Sequence, residues 1–470
     1  MEFDFLIPVI EFRTEETAPD YELPFWCRMG HELKRRGYRV GFLTQSRIAD
    51  QRMQESNHPY FNLYDIVDEL KQKGAISYSI GQVSKIEQSY NIDIKELGLC
   101  ECLYYYRKPK QLFKQAIEYF AIIEDFLAQN PTKCIIHPAG GELIRRVLFH
   151  VGRGRGILNV FMTGSPVWGS LFFTTDETLT SDQLSLKPYQ DLTADEIEQA
   201  ERFITSFVER KEMFIRSKYR PLWRINPLAP LKLPQKAYRR YVVNKGQEPF
   251  PLFAEEVAHL KRKVRGLMYK SFIKMLEPGE KFLFFPLHLY RESQLTVRAP
   301  QCLNQAYIVD LVASSLPYGY KLYVKEHPNH LGEIPYGMMR AISKTRDTVL
   351  LDPQTHSHEL IESSVGVITI NSLAGLEGIL YRKPVVVLGK PFYGQLGLTI
   401  DVEDYSYLHD AIKEVLEAKD TDHAKVVSLV NAVLKNSYKG VLWEPGEQNI
   451  KDISDSILSY LDRRELLASR

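Results

Sequence analysis

Cysteine is scarce in this chain of 470 residues, which contains Cys27, Cys100, Cys102, Cys134 and Cys302. The number is odd and no pair has the Cys-x-x-Cys spacing, which argues against a disulfide framework and against a structural zinc site. Because a low cysteine content is typical of proteins from a reducing compartment, we expect a cytoplasmic protein.

Long apolar runs and a surplus of charge are also missing. No apolar run reaches the ~18 residues of a membrane-spanning helix, and residues 1–8 carry acids where a signal peptide carries lysine or arginine. The 60 Lys and Arg residues balance 59 Asp and Glu residues, so we expect no binding to nucleic acid. With 44% hydrophobic and 25% charged residues, the composition is that of a soluble globular protein of two or three domains.

The chain has instead a repeated alternation of apolar strands and segments with helical spacing. Phe3–Val9 is a predicted strand, Tyr21–Arg36 a predicted helix, and Tyr38–Thr44 the next strand. The alternation is interrupted by helical stretches and a proline- and arginine-rich piece at about 193–275. It starts again at the predicted strand Phe282–Pro286.

This pattern predicts an α/β protein with two Rossmann-like domains facing a cleft, the GT-B architecture, joined by a helical segment and followed by a C-terminal helix. The predicted bounds are 1–190 for the N-terminal Rossmann-like domain, 191–278 for the helical interdomain segment, 279–440 for the C-terminal Rossmann-like domain and 441–470 for the C-terminal helix. Because parallel α/β sheets bind ligands beyond the carboxyl ends of their strands, functional residues are expected just after predicted strands.

The strongest motif is the segment 368–378, Ile-Thr-Ile-Asn-Ser-Leu-Ala-Gly-Leu-Glu-Gly. A predicted strand ends at Asn371 and a helix follows at once, with Ser372 as its N-cap. The free amides and the dipole of such a helix end favour an anion. Gly375 would allow close helix packing or a close ligand, and Glu377 would accept hydrogen bonds from ribose hydroxyls. A plain turn with a capping serine explains the same residues equally well.

A second motif, Lys325-Glu-His-Pro, follows another predicted strand of the same domain. His327 at a strand's carboxyl end can donate a hydrogen bond to a phosphate or leaving-group oxygen, while Pro328 ends the strand ladder. A structural loop histidine is the alternative. Both motifs belong to the same predicted sheet, which favours a shared site.

The third motif, at 285–295, places His288, Arg291, Glu292 and Gln294 after the first strand of that domain. Glu292 can serve as a nucleophile or as a general base. The alternative is a solvated loop in which Arg291 and Glu292 are surface charges.

The N-terminal domain offers weaker signals. His137, before Pro-Ala-Gly-Gly, and Ser165, in Thr-Gly-Ser-Pro-Val-Trp, follow predicted strands and are candidates for acceptor contacts, together with Asp176. A glycine-rich turn explains the first two as well. The basic segments 103–110 and 218–224 would contact lipid headgroups or an anionic acceptor, or simply form a solvated face.

Four motifs in order over residues 280–395 resemble the bacterial capsule polysaccharide synthesis family, which includes the Kdo transferases of capsule assembly: FPLH…RESQL, LYVKEHP, VITINSLAGLEGIL and KPVVVLG-x-PFY. The resemblance implies a GT-B fold and a CMP-activated ulosonic acid, such as CMP-Kdo, as donor. It also implies that His327 and Ser372 bind the donor's phosphate and nucleotide in place of a metal ion. The family typically carries aspartate where this chain has Glu292, which leaves the sugar, the nucleophilic role and the retaining outcome open.

The sequence thus predicts a CMP-sugar-dependent, metal-independent glycosyltransferase without a cofactor. It would transfer a Kdo-like ulosonic acid to a glycan or glycolipid acceptor in the synthesis of capsule or lipopolysaccharide-type polymers. Glu292 and His288 are the predicted catalytic residues. The predicted donor site comprises His327, Pro328, Lys325, Asn371, Ser372, Gly375, Glu377, Gln294 and Arg291. The acceptor would contact His137, Ser165 and Asp176 in the N-terminal domain.

We expect this enzyme in the cytoplasm, with peripheral contact to the inner membrane leaflet or to other capsule-synthesis proteins. Two alternatives remain open at this point. One is a sugar-nucleotide epimerase of the same fold, acting on a UDP-sugar. The other is a non-catalytic polysaccharide-export or scaffold protein. Binding of CMP, of UDP or of neither nucleotide separates the three.

Overall fold

The computed structural model describes residues 1–11, 22–74, 76–103, 108–179, 184–210, 233–243, 254–328, 331–418 and 420–463. The chain divides into two compact α/β units, and the predicted α/β class with Rossmann-like sheets is confirmed. The first unit comprises Met1–Asp182, Asn226–Glu255 and Ser437–Arg470, and the second comprises Gln183–Ile225 and Glu256–Asn436. The predicted basic segment 218–224 and residues 104–107 lie outside the described residues.

The strands of the described residues form two sheets. Their bounds are β1 Phe3–Val9, β2 Val40–Thr44, β3 Tyr60–Asn62, β4 Thr132–Pro138, β5 Leu158–Gly164, β6 Ser170–Thr174, β7 Lys281–Pro286, β8 Tyr320–Lys325, β9 Thr348–Leu350, β10 Gly366–Thr369, β11 Val385–Val387, β12 Ile400–Asp401 and β13 Tyr438–Lys439. The sheet of the first unit has the order β13-β6-β5-β4-β1-β2-β3, and that of the second unit has the order β12-β11-β10-β7-β8-β9.

The helices of the described residues cover these sheets. Their bounds are α1 Glu22–Arg35, α2 Arg47–Glu55, α3 Leu63–Gln72, α4 Ile80–Tyr90, α5 Ile94–Leu97, α6 Leu99–Leu103, α7 Pro109–Gln129, α8 Leu143–Gly154, α9 Ala194–Arg210, α10 Leu233–Tyr238, α11 Ala254–Tyr269, α12 Ser293–Thr296, α13 Gln305–Ser314, α14 Tyr336–Lys344, α15 Ser357–Ser363, α16 Leu373–Leu380, α17 Leu408–Glu417, α18 His423–Asn436 and α19 Glu447–Arg463.

Pairing between β1, β2, β3, β4 and β5 is parallel, while β6 and β13 add antiparallel strands at one edge. In the second unit every pair is parallel among the described residues. Strands buried on both faces need continuous apolar runs, and β10 and β11, with the sequences GVIT and VVV, are buried throughout. Parallel pairing brings the carboxyl ends of these strands to one edge.

Two helices show how the predicted segments pack. Helix α9, inside the predicted interdomain segment, packs on α18 within the second unit, where Glu201 contacts His423 at 2.7 Å. Helix α19, the predicted C-terminal helix, packs on α1 within the first unit through Ile453 and Ile457. The predicted domain bounds stay a prediction. No helix of the described part of the chain is long and apolar enough to cross a membrane.

Candidate functional site

Three of the predicted motifs meet at the carboxyl edge of the second sheet. Strand β7 pairs with β10 on one side and with β8 on the other. The loop with His288 and Glu292 follows β7, His327 follows β8, and Ser372 follows β10. Because all three strands run in the same direction, their following loops lie at the same edge, which is where a doubly wound sheet binds ligands.

His288 is a fixed point of this edge. Its Nε2 accepts a hydrogen bond from the backbone N–H of Asn371 at 3.0 Å. The side-chain amide of the buried Gln305 accepts from the His288 N–H at 2.8 Å and donates to its carbonyl at 3.1 Å. Burial, reinforced by the charge of Arg298, lowers the pKa of His288 to about 4. The ring is therefore neutral at pH 7, and its engaged Nε2 favours a positioning role over the predicted catalytic one.

Asn371 joins two neighbouring loops. Its Nδ2 donates to the carbonyl of Gln294 at 3.0 Å, and its Oδ1 accepts from the N–H of Lys390 at 2.8 Å. A Cβ at Gly389 would lie 2.4 Å from that Oδ1, so the loop after β11 requires glycine there. Two predicted donor-site residues, Asn371 and Gln294, are thus joined, and the amide of Asn371 is directed at backbone groups.

The N-terminus of α16 is capped as the sequence predicts. The Oγ of Ser372 accepts from the N–H of Ala374 at 3.2 Å, and the Ser372 N–H donates to Oγ1 of Thr369 at 3.0 Å. The buried Tyr393 donates to the Ser372 carbonyl, and a Cβ at Gly375 would lie 2.3 Å from its hydroxyl. Gly375 therefore serves helix packing, whereas the half-buried Ser372 hydroxyl keeps its proton for a further acceptor.

Lys325 and Glu377 are buried at the same edge, with 6% and 8% of their surfaces exposed, and their charges act on each other. Lys325 Nζ donates to the Thr355 carbonyl at 2.9 Å and to Ser357 Oγ at 2.8 Å. Burial lowers its pKa to about 8, against the charges of Glu377 and Asp352.

Glu377 makes fewer hydrogen bonds than Lys325. Burial raises the pKa of its carboxyl to about 7, against the charge of Lys325. Among the described residues no group donates a hydrogen bond to this carboxyl. Shifted pKa values of this kind concentrate at functional sites.

The loop that carries Glu292 also holds a cation that the sequence motifs did not identify. Glu292 is exposed as a residue. The protein around its carboxyl nevertheless raises the pKa of that group by desolvation, against the charge of Arg298. Arg298 Nη1 donates to Gln294 Oε1 at 2.9 Å, and its Nε is buried without an acceptor among the described residues. Arg291 instead donates to Glu333 at 2.6 Å, which anchors the loop after β8.

The loop after β8 is organised by Glu326. Its buried carboxyl accepts hydrogen bonds from the N–H groups of Gly332 at 3.2 Å and Ile334 at 3.3 Å. Burial raises its pKa to about 7, although these two bonds act in the opposite direction. His327 and Pro328 follow directly and are half-buried. Glu326 therefore positions the backbone from which the His327 ring extends.

His137 belongs to the core of the first unit. It is fully buried, its ring stacks on Phe161 with centroids 4.6 Å apart, and its Nε2 contacts Asn159 Oδ1 at 2.9 Å. Burial lowers its pKa to about 4. A side chain without exposed surface cannot contact an acceptor in this conformation, which is at odds with the predicted acceptor role.

The other N-terminal candidates are engaged in local structure. Ser165 Oγ lies 2.6 Å from Ser437 Oγ, and Asp176 closes a turn by accepting from the Thr178 N–H at 2.8 Å. The neighbouring Glu177 is half-buried, and loss of water alone would raise its pKa, but His150 and Arg146 beside it lower the value to about 2. The acceptor role of Ser165 and Asp176 stays a prediction.

Two cavities in the described residues have no predicted site residue in their lining. A groove of about 1060 Å³ in the second unit is lined by α13, α14 and the ring of Tyr290. A groove of about 580 Å³ in the first unit lies along α4 and α7. Within the described ranges, no group of three or more His, Cys, Asp or Glu side chains has the arrangement of a metal site.

Sequence reasoning missed Arg298, Gln305 and Tyr393. Tyr393 had a signal, because it lies in the PFY part of the fourth motif. Arg298 lies six residues after Glu292 in the same loop region, so charge near the candidate carboxylate was available as a clue. Gln305 had no sequence signal, since a helix and two loops separate it along the chain from His288, whose backbone it contacts.

Comparisons with known proteins agree with the motifs. Residues 231–433 match the family model described as "Capsule polysaccharide biosynthesis protein", so the predicted resemblance to this family is confirmed. The capsule polysaccharide modification protein LipB of Neisseria meningitidis is 25% identical over 136 residues, 27% of this chain and 32% of that protein. The capsule polysaccharide export protein KpsS of Escherichia coli is 27% identical over 132 residues, 27% of this chain and 34% of that protein.

The aligned region thus spans about a third of the length of these curated relatives. Among solved structures, the Thermosulfurimonas dismutans KpsC, beta Kdo 2,4 transferase, is similar at 14% identity with a TM-score of 0.38. That match covers 73% of this chain and 94% of the KpsC chain.

Proposed function

The chain carries a capsule polysaccharide biosynthesis domain at residues 231–433, and from this premise we propose that it is a glycosyltransferase of surface polysaccharide synthesis. Its donor is a CMP-activated ulosonic acid of the Kdo type, and its acceptor is a glycan or glycolipid. It works in the cytoplasm, beside the inner leaflet and other capsule-synthesis proteins. The observation that carries the proposal is the buried Lys325–Glu377 pair beside the capped N-terminus of α16.

The donor's nucleotide fits the groups at this edge. The positive end of α16, the Ser372 hydroxyl and the charge of Lys325 favour a phosphate. His327, in the loop after β8, donates to the same group. The carboxyl of Glu377, which lacks a donor among the described residues, accepts hydrogen bonds from the ribose hydroxyls. These groups would take the place of a metal ion at the phosphate.

Glu292 is the candidate for the chemical step, because its carboxyl is exposed at the same edge. As a nucleophile it would form a bond to the anomeric carbon while CMP leaves, and the acceptor hydroxyl would then displace it with retention of configuration. As a general base it would take the proton of the acceptor hydroxyl, which would attack directly with inversion. The same division separates the two classes of glycosidases.

The names of the relatives keep one alternative in view, since KpsS is called an export protein. A non-catalytic export or scaffold role would leave Glu292 and His327 without effect on function. An epimerase would bind UDP in preference to CMP. The nucleotide that binds, and the consequence of losing these two side chains, therefore distinguish the candidates.

The test is a thermal-unfolding panel with CMP, CDP and UDP, on the wild type and on His327→Ala, in the presence of EDTA. We expect CMP to raise the melting temperature, since a ligand that binds the folded state stabilises it. His327→Ala should unfold at the wild-type temperature without ligand and lose most of the CMP shift. A shift with UDP alone would favour the epimerase, and no shift with any nucleotide would contradict the proposal.

A further inference from the structure

Arg298 lies at the carboxyl edge of the second unit, where its charge acts on both His288 and Glu292. Its Nη1 is held by Gln294 Oε1 at 2.9 Å. Gln294 is held in turn by Asn371, whose backbone N–H binds His288 at 3.0 Å. The guanidinium is thus fixed in a hydrogen-bond network at the loop that carries His288 and Glu292.

The hydrogen-bonding capacity of Arg298 is mostly unused. A guanidinium has five N–H groups, and within the described residues the bond to Gln294 is the one it makes. Its Nε is buried without an acceptor. Burial lowers its pKa to about 10, against the charge of Glu292, so the group stays positive at neutral pH. Because a buried donor left unpaired costs free energy, such an arrangement is expected where a ligand supplies the acceptor.

The proposed donor carries two anionic groups, and the phosphate accounts for one of them. In an ulosonic acid the second, a carboxylate, is bonded directly to the anomeric carbon. When Glu292 approaches that carbon, two carboxylates come close and repel each other. A guanidinium between them reduces this repulsion, and its planar fork suits a carboxylate in bidentate geometry.

We propose that Arg298 binds the carboxylate of the donor sugar and so selects ulosonic acids over sugars without that group. The inference rests on the proposed function, because it assumes a CMP-sugar held at this edge. It assigns to Arg298 a specificity role that is separate from nucleotide binding, for which the groups around α16 and His327 suffice.

The experiment compares CMP, CMP-Kdo and the methyl ester of CMP-Kdo as ligands, by competition binding and by turnover. The ester keeps the shape of the sugar and removes its charge. The wild type should prefer CMP-Kdo over the ester by about 10- to 100-fold, the range for a charged hydrogen bond. Arg298→Gln should reduce this preference to less than about 3-fold while binding CMP as the wild type does. Arg298→Lys, which keeps the charge without the fork, should lie between them.

Arg346→Gln is the matched control, since the Arg346 side chain is 88% exposed and pairs with Asp347; it should keep the wild-type preference. Equal losses for the acid and the ester in Arg298→Gln would overturn the inference and leave Arg298 a structural residue. A wild type without preference would overturn it as well. A wild type that binds CMP to no measurable extent would instead contradict the proposed function, so the two failures are distinguishable.

Discussion

The carboxyl edges of the two sheets differ in how their charges are satisfied. In the first unit, buried Glu22 pairs with Arg145 at 2.7 Å, and Glu177 pairs with Arg146 at 3.0 Å. In the second unit, Glu377 has no hydrogen-bond donor and Arg298 Nε has no acceptor among the described residues. An unsatisfied buried polar group costs stability, and the first unit also has such atoms, His137 Nδ1 among them, so the contrast is confined to the carboxylates. The carboxyl of Glu377, unlike the paired carboxylates of the first unit, is the reason for proposing the ligand at the second edge.

The largest effect that would sharpen this contrast is expected at Glu292. Glu292→Gln keeps the shape and removes the charge, so donor binding should survive while turnover falls by about 1000-fold or more. Steady-state kinetics with CMP binding measured in parallel checks this. Glu359→Gln, an exposed glutamate of α15, is the control.

Intact-mass spectrometry with donor and without acceptor then decides the role of Glu292. An adduct of sugar mass on the wild type, absent in Glu292→Gln, identifies the nucleophile. Near-normal turnover of Glu292→Gln would reject both roles and move the search to Asp176 and Glu177 of the first unit.

The next effect concerns the stability of the protein at acidic pH. His288 has a folded-state pKa of about 4, below the ordinary value of about 6.5. The neutral His288 ring contributes fully to the free energy of unfolding above about pH 6.5. This contribution, up to ~3 kcal/mol, is lost as the pH falls towards 4. His288→Gln can still accept from the Asn371 N–H and does not titrate, so its melting temperature should fall less between pH 7 and pH 4.5.

His137→Gln is the matched variant in the first unit, because burial lowers the pKa of His137 to the same value. Only His288→Gln should also alter CMP binding, since His137 lies outside the proposed site. An acid dependence of His288→Gln equal to that of the wild type would show that the imidazole does not titrate as inferred.

A smaller effect is expected for the charge of Lys325. Lys325→Met keeps the length of the side chain and removes the cation near the proposed phosphate, so the Kd for CMP should rise by about 10-fold or more, or ~1.4 kcal/mol. Isothermal titration calorimetry measures it. In the control, Lys383→Met, the lysine donates to the Ser364 carbonyl at 2.8 Å, away from the site, and CMP binding should stay unchanged. Equal Kd values for Lys325→Met and the wild type would remove Lys325 from the phosphate site.

The smallest effect is expected for the helix cap. Ser372→Ala removes the bond to the Ala374 N–H and should cost ~1 kcal/mol of stability, with a rise of several-fold in the Kd for CMP. Ser372→Thr keeps a capping hydroxyl and should restore both quantities. Normal CMP affinity in Ser372→Ala, with lowered stability, would restrict Ser372 to the plain capping role.

The sequence predicts the second edge better than the first for physical reasons. The run before Asn371 and the capping Ser372 are local signals, and β10 and α16 form where they predict. The pairing of Lys325 with Glu377 depends on the strand order β10-β7-β8, which residue spacing does not contain. The sequence suggests a contact role for His137 because the turn after β4 resembles a ligand loop. In the fold, the His137 ring packs on Phe161 of the neighbouring strand.

The most direct test of the central claim is a crystal structure of the protein with CMP. We predict the phosphate at the N-terminus of α16, with the Ser372 hydroxyl and the His327 ring within hydrogen-bond distance of its oxygens. The ribose hydroxyls should contact Glu377, whose carboxyl then gains the donors it lacks. CMP bound at the carboxyl edge of the first sheet, with the residues around α16 unchanged, would contradict the account.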